Sequence, residues 1–246
     1  MFVTRTTVQE RNTDLRSVSP AQLNIAERLF LISSSLLFAG LSERECLEIA
    51  SCARTRMFAR NELLFAQGQP VRELILLQSG SVKHTQVSSN GNEVLLRFSR
   101  TGDVVNLLVE SAGCSHTCSA CAMEPCKALV WDFNRIHAFL MQCPQMRGNV
   151  SRILAAQLKE LEERFREVAT EKVSRRLALV LLRLIKQIGK PSDEGIEVPL
   201  SREELAQMTG ATVFTISRVL SGWSEHGYVL SRREAVVISD PRQLEA

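Results

Sequence analysis

Between Leu200 and Ser221 the chain reads LSREELAQMTGATVFTISRVLS, two short helical rhythms that meet at a glycine with little room between them. Ser201 and Glu204 form an S-x-x-E capping box, in which each side chain satisfies a backbone N–H that the first helical turn leaves open. Leu205 and Met208 give this first helix an apolar face, and Gly210 supplies the backbone freedom of a tight turn. Thr212 to Leu220 makes the second helix, with Ile216, Val219 and Leu220 inward and Val213, Phe214, Ser217 and Arg218 outward. A helix that exposes a fixed cation among small and apolar groups suits the major groove of DNA. The pattern predicts a helix-turn-helix whose contacts to double-stranded DNA come from Ser201, Arg202, Thr212, Val213, Phe214, Thr215, Ser217 and Arg218.

After Gly222 the stretch WSEHGYVL, then SRRE, then AVVIS predicts a helix end with Gly227 at its C-terminal cap, a strand, a polar turn and a second strand. Such a hairpin is a wing beside the reading helix, and it puts Arg232 and Arg233 at its tip as phosphate contacts. The net charge of +3 is small for a nucleic-acid binder. From Ser201 onward arginine is the only fixed cation and acidic residues slightly outnumber it, so the basic groups must be sorted onto one face.

The length of 246 residues, 45% of them hydrophobic, is enough for one or two packed domains. Residues 1–20 are polar and read as a flexible N-terminus, and Ala21 to Ser33 carries a helical apolar rhythm. Leu41 to Ala53 predicts another short helix, capped by Ser42 with Glu45 at the third position. From Met57 to Phe133, short apolar runs alternate with turn signals at Gln67-Gly68, Ser79-Gly80, Asn90-Gly91 and Thr101-Gly102, which suggests an all-β barrel or roll. No apolar window reaches the roughly 18 residues of a membrane span, and MFVTRTTVQERNTD has no signal-peptide core. A cytosolic chain without membrane contact is expected, its seven cysteines reduced or ligating rather than in structural disulfides.

Beyond Pro144 the pattern is helical for some 25 residues, with Leu154, Leu158, Leu161, Phe165 and Val168 at spacings of 4, 3, 4 and 3. An amphipathic helix packed on its own domain produces such a stripe too. Its place between a β-rich region and a helix-turn-helix favours a dimer seam, because such readers bind palindromes as two-fold dimers. A further helix, Lys172 to Gln187, should bury Val173, Leu177, Val180, Leu181, Leu184 and Ile188 and carry Arg175, Arg176 and Arg183 outside. Gly189, Pro191 and Gly195 break it, and Glu197 to Leu200 predicts a short strand.

The runs LLFAQGQPVRELILLQSGSVK and LSREELAQMTGATVFTISRVLSGWSEHGYV, the Gly102-Asp103 turn and the long helix after Pro144 resemble the CRP/FNR family of bacterial transcription regulators. The resemblance runs from about Leu37 to the C-terminal region. It implies an α+β architecture: a jelly-roll-like, cyclic-nucleotide-binding-like β-roll effector domain over 21–143, a dimerisation helix over 144–170 and a winged helix-turn-helix over 171–246. It also implies a homodimer on a palindromic operator, RNA polymerase as a further partner, and control by a signal sensed in the β-roll.

Two departures narrow that signal. Cyclic-AMP-binding members carry a G-E-L motif after the glycine-aspartate turn and a later Arg-Ser pair; here Asn106-Leu107 and His116-Thr117 stand in those places. Without a ribose acceptor and a fixed phosphate clamp, a buried cyclic phosphate would be poorly matched, so a redox, gas or metal signal is expected instead of cyclic AMP. Cys114, Cys118, Cys121 and Cys126 crowd the same region. They fit an iron–sulfur or other metal site, a thiol redox sensor, or buried structural thiols, the last being the simplest. Against a metal, an offset of three along a strand sends Cys118 and Cys121 to opposite faces unless the loop from Gly113 is irregular. Cys46, Cys52 and Cys143 read as packing residues, Trp131 and Trp223 as core, and His84, His116, His137 and His226 as surface or satisfied core histidines. No nucleophile-base pattern, phosphate loop or carboxylate pair stands out, which argues against an enzyme. A non-enzymatic sensory or structural module, using its helix-turn-helix for protein contacts, is the alternative.

Overall fold

The computed structural model describes residues 20–107 and 114–244. The expected flexible N-terminus therefore lies, but for Pro20, outside the described residues, as does Gly113. Helix α1 (Pro20–Ser34) leads through a short 3-10 turn into α2 (Glu43–Cys52), which Ser42 and Glu45 start as a complete capping box.

Seven strands follow: β1 (Arg54–Phe58), β2 (Leu63–Phe65), β3 (Glu73–Ser79), β4 (Ser81–Val87), β5 (Glu93–Arg100), β6 (Ser119–Ala122) and β7 (Cys126–Asp132). They form two antiparallel sheets, ordered β1-β7-β3 and β2-β6-β4-β5. Gly68, Gly80, Gly91 and Gly102, the four turn glycines singled out in the sequence, all adopt positive φ. Between the sheets lies a core of Phe58, Phe65, Ile75, Leu77, Val82, Val130 and neighbours. On the outer face of β3 and β7, Leu74, Leu76, Leu129 and Trp131 pack under α1, α2 and α3 (Phe133–Gln142). Trp131 is fully buried and its indole N–H donates to the Ile49 carbonyl at 2.8 Å, which satisfies the one polar atom it takes inside.

Helix α4 (Pro144–Thr170) runs out of the roll and α5 (Val173–Ile188) folds back beside it. Here the sequence reading is corrected. Arg175, Arg176 and Arg183 do not point outside but are half-buried. The Arg183 guanidinium grips the buried Glu167 carboxylate of α4 through two hydrogen bonds of 2.6 and 2.8 Å, and Arg176 donates to the Val168 and Glu171 carbonyls.

The C-terminal unit contains β8 (Lys190–Ser192), β9 (Gly195–Val198), α6 (Arg202–Thr209), α7 (Val213–Glu225), β10 (Val229–Ser231) and β11 (Val236–Ile238), its sheet ordered β10-β11-β9-β8. The strand expected from Glu197 is a hairpin arm that starts at Gly195, paired with a β8 that the sequence did not suggest. A Cβ at Gly195 would overlap the Ile238 carbonyl oxygen, so only glycine lets β9 close on β11. Leu177, Leu181, Leu184, Leu205, Ile216 and Leu220 form the core of this unit, and Leu95 and Phe98 of β5 belong to the same cluster. The roll and the C-terminal unit therefore share buried apolar surface, at about 2 kcal/mol for each side chain of this size.

Candidate nucleic-acid interface

Helix α6 starts where Ser201 Oγ accepts from the Glu204 N–H and Glu204 Oε2 accepts from the Ser201 N–H at 3.0 Å. Its last turn closes on Gly210 in the left-handed conformation, φ 61° and ψ 37°. Thr212 then caps α7, its hydroxyl accepting from the Thr215 N–H at 3.2 Å. Both helices sit on Leu205, Ile216 and Leu220, all fully buried, with Met208 and Val219 packed beside them.

This packing turns a single face of α7 outward. Thr212, Val213, Phe214 and Arg218 are exposed, and Thr215 and Ser217 half-buried. Phe214 is 89% exposed, a large aromatic ring with no cover from its own domain. Arg218 makes no ion pair among the described residues.

The wing cations behave differently from one another. Arg233 is exposed and unpaired among the described residues, whereas Arg232 reaches back across the sheet to the carboxylates of Glu194 and Glu197. Arg202 of α6 donates to Ser231 Oγ at 3.0 and 3.3 Å and so ties the helix pair to the wing. Of the four expected arginines, the structure leaves Arg218 and Arg233 free for an outside anion and spends Arg202 and Arg232 on internal bonds.

Glu204 has a second partner that the sequence did not reveal. Lys83 Nζ of β4 donates to its Oε1 at 2.8 Å, and both side chains are mostly covered. Burial by itself would raise the Glu204 carboxyl, but hydrogen bonds from Lys83 and Ser201 outweigh it and hold the group below the ordinary glutamate range. Lys190 pairs with Glu124 across the same boundary at 3.1 Å. Lys83 alternates outward in the VKHTQV strand, but its partner is 121 residues away, beyond any local pattern.

The stripe on α4 is uncovered: Leu154, Leu158, Leu161, Phe165 and Val168 are all exposed, Phe165 at 74%. The cysteines are dispersed. Cys118 packs into the roll, its sulfur 3.8 Å from Nδ1 of the buried His84, whose Nε2 meets Ser99 Oγ at 2.9 Å. Cys121 lies opposite Lys83 in the β4–β6 pairing, on the other face. Cys126 is buried and its thiol donates to the Glu124 carbonyl at 3.1 Å, while the Cys114 carbonyl pairs with Val71. Burial pushes the Cys118, Cys121 and Cys126 thiols up. Among the described residues no group of three or more His, Cys, Asp or Glu is placed to hold a metal ion, so Cys114, Cys118, Cys121 and Cys126 do not converge as a cluster requires.

At the positions of the cyclic-nucleotide motif, Asn106 is spent on the backbone: Oδ1 accepts from the Ile75 N–H at 3.0 Å and Nδ2 donates to the Glu73 carbonyl. His116 stacks on Phe65 with ring centroids 3.8 Å apart, and burial pulls its pKa down, toward the neutral imidazole. The cavity beside them holds about 140 Å³, below the roughly 300 Å³ of ordinary small-molecule sites. These residues do not fit a cyclic nucleotide.

Residues 55–143 match the family described as cyclic nucleotide-binding domain and residues 175–246 the Crp-like helix-turn-helix domain. The chain is 24% identical over 216 residues to the CRP-like cAMP-activated global transcriptional regulator of Mycobacterium tuberculosis, covering 87% of this chain and 96% of that protein. It is 25% identical over 193 residues to the transcriptional activator protein Anr of Pseudomonas protegens, covering 78% of this chain and 79% of that one. The solved structure of FixK2 from Bradyrhizobium japonicum shares the fold with a TM-score of 0.67 at 20% identity, over 78% of this chain and 96% of that one.

Proposed function

Because the chain belongs to the CRP/FNR family of DNA-binding transcription regulators, we propose that it acts as a homodimer on a palindromic operator, under control of a signal other than a cyclic nucleotide sensed in the β-roll. The observation that carries the dimer is the uncovered stripe on α4. Five large apolar side chains in a coiled-coil register stand exposed along one helix, and a second copy of that helix is the partner that buries them in kind. A two-fold pair of α7 helices would then read two half-sites, with Arg218 on base edges and Arg233 on phosphate. The mismatch of Asn106, Leu107 and His116 with a cyclic nucleotide supports a different effector, with redox and gas the classes expected from the sequence. RNA polymerase is the expected further partner, and catalysis is no part of this reading. No helix of the described residues is long and apolar enough to cross a membrane.

A footprint on a selected operator, repeated over a range of salt, tests DNA reading: a palindromic footprint with a steep salt slope is expected, since phosphate contacts release counterions. Protein contacts alone would give neither. Leu161→Glu tests the seam by placing an unpaired carboxylate in it from each subunit, so dimer and operator affinity should fall together. A variant still dimeric by sedimentation at micromolar concentration, with unchanged operator binding, would sink the coiled-coil assignment.

A further inference from the structure

At the edge of the roll's apolar core four polar side chains meet: Cys118, His84, Ser99 and Arg97. His84 of β4 stands opposite Arg97 in the β4–β5 pairing, and the ladder slips by a bulge immediately after it. Cys118 precedes β6, the other neighbour of β4. Its half-buried sulfur lies 3.8 Å from His84 Nδ1, and the fully buried imidazole meets Ser99 Oγ through Nε2 at 2.9 Å. Arg97 is half-buried and makes one hydrogen bond among the described residues, to the Val105 carbonyl at 3.3 Å. It is also within electrostatic reach of the Cys118 sulfur.

Apolar side chains would fill this space without the cost of burying polar groups. The cluster instead supplies what the oxidation of a thiol needs. The thiolate is the reactive form of cysteine, and burial raises the Cys118 thiol, which keeps it protonated at neutral pH. A base must therefore stand against it. Burial, with Arg97 adding to it, holds His84 well below the ordinary histidine range, so the ring is neutral and has one nitrogen lone pair to offer. With Nε2–H donating to Ser99, that lone pair is on Nδ1, toward the sulfur. Arg97 favours the anion once it forms.

We propose that Cys118 is a peroxide-sensing thiol, with His84 as the base that takes its proton, and that the oxidised sulfur governs operator binding through Arg97. Control of operator binding rests on the regulator reading above and gives its redox signal a site. In the reaction with hydrogen peroxide, His84 Nδ1 accepts the thiol proton and the sulfur attacks one peroxide oxygen. The S–O bond forms as the O–O bond breaks, and the leaving hydroxide takes the proton back from His84 as water. Sulfur loses two electrons to the peroxide and becomes a sulfenic acid. That group is more acidic than the thiol and brings a new acceptor oxygen, so it draws the spare donors of Arg97. Arg97 sits in the stretch of β5 on which the other parts rest: the neighbouring Leu96 carbonyl accepts from Arg164 of α4, and Leu95 and Phe98 pack in the core of the reading unit.

Substoichiometric hydrogen peroxide on the full-length protein, with dimedone to trap sulfenic acids and mass spectrometry to map them, tests the site. Cys118 should be labelled ahead of every other cysteine, including Cys121, which is also half-buried but has the Ala122 carbonyl against its sulfur in place of a base. His84→Gln should slow the labelling roughly a hundredfold. Its rate should then climb with pH as free thiolate takes over, where the wild type stays flat through neutral pH. Peroxide should change wild-type operator affinity roughly tenfold, reversibly with dithiothreitol. Cys118→Ser keeps a small polar side chain and should bind the operator with no response to peroxide. If another cysteine is labelled first, the site is overturned; equal rates with and without His84 overturn the base. Should His84→Gln unfold, the order of labelling and Cys118→Ser decide. Oxidation of Cys118 that leaves operator affinity unchanged overturns its control of DNA binding. Labelling at Cys118 in a protein that retards no operator DNA would refute the regulator reading alone and uphold the site.

Discussion

At the scale of single residues, the proposed DNA contacts rest on the cations that have no partner among the described residues. Arg218 stands on the exposed face of α7 with no ion pair among the described residues, and a guanidinium there can grip guanine O6 and N7 as a fork. Arg218→Ala should cost roughly 1–3 kcal/mol on the selected operator and relax base preference at one position per half-site. Binding to a set of single-base operator variants checks this, and an equal loss on every sequence would reassign Arg218 to phosphate. Phe214 makes a sharper case, since its 89% exposure rules out the alternative that the ring packs on its own domain. A glutamate at this outward position could accept a hydrogen bond from cytosine, whereas an aromatic ring cannot but can pack on a thymine methyl. Selection from a randomised operator library should give a T·A pair under Phe214 and a different base pair for Phe214→Glu; recovery of one half-site by both would end the assignment. These residues were legible in the sequence because caps and helix faces are local: Ser201, Glu204, Gly210 and Thr212 fix which way residues 213–218 point. Arg232 was not, because the carboxylates that hold it, Glu194 and Glu197, come from the neighbouring hairpin and only the folded sheet brings them across.

At the scale of elements, the joint between α4 and α5 links the exposed stripe to the reading unit, and it is held by charge. Glu167 is buried and Arg183 bonds it through both terminal nitrogens. Taking away one partner of a buried pair leaves an uncompensated charge inside, so Arg183→Met should destabilise the fold by about 3 kcal/mol, more than an exposed pair could. Thermal unfolding beside Arg44→Met, which breaks an exposed pair with Glu48, makes the comparison. Equal small losses would mean that solvent reaches Glu167. The periodicity of α5 correctly predicted Leu177, Val180, Leu181, Leu184 and Ile188 as its buried side, but it placed Arg183 outside. A helical rhythm records which side chains avoid water, and it says nothing of a second helix folding back over the polar flank. The same limit hid β8, three residues containing Pro191 whose strand character comes only from pairing with β9.

At the scale of the whole molecule, Lys83 and Glu204 connect the β-roll to the first helix of the reading pair, and Glu204 has two duties there. It closes the capping box of α6 and accepts the ammonium group of β4 at 2.8 Å. Burial alone would lower the Lys83 pKa, but the Glu204 carboxylate outweighs burial and raises it, while Glu204 itself is held down by Lys83 and Ser201. The depressed carboxyl contributes stability in full above its ordinary pKa, and the contribution is lost as pH falls through the depressed value. The raised ammonium contributes in full below its ordinary pKa of about 10.4 and loses that contribution as pH rises through the raised value. The tie should therefore be constant through neutral pH and fail in acid below the glutamate range. A double-mutant cycle of Lys83→Met and Glu204→Gln separates the tie from the cap, because a glutamine at 204 can still accept from the Ser201 N–H and any change in the cap is the same whether or not Lys83 is present. A coupling of about 1 kcal/mol is expected at neutral pH, at the upper end for such pairs since both side chains are mostly covered, and it should vanish once Glu204 is protonated. A coupling near zero at neutral pH would leave the join to the apolar contact of Leu95 and Phe98 and to the exposed bonds of Lys190 with Glu124 and of Arg100 with the Lys186 carbonyl. Acid protonation of Glu204 would then leave the two parts together until the fold itself opened.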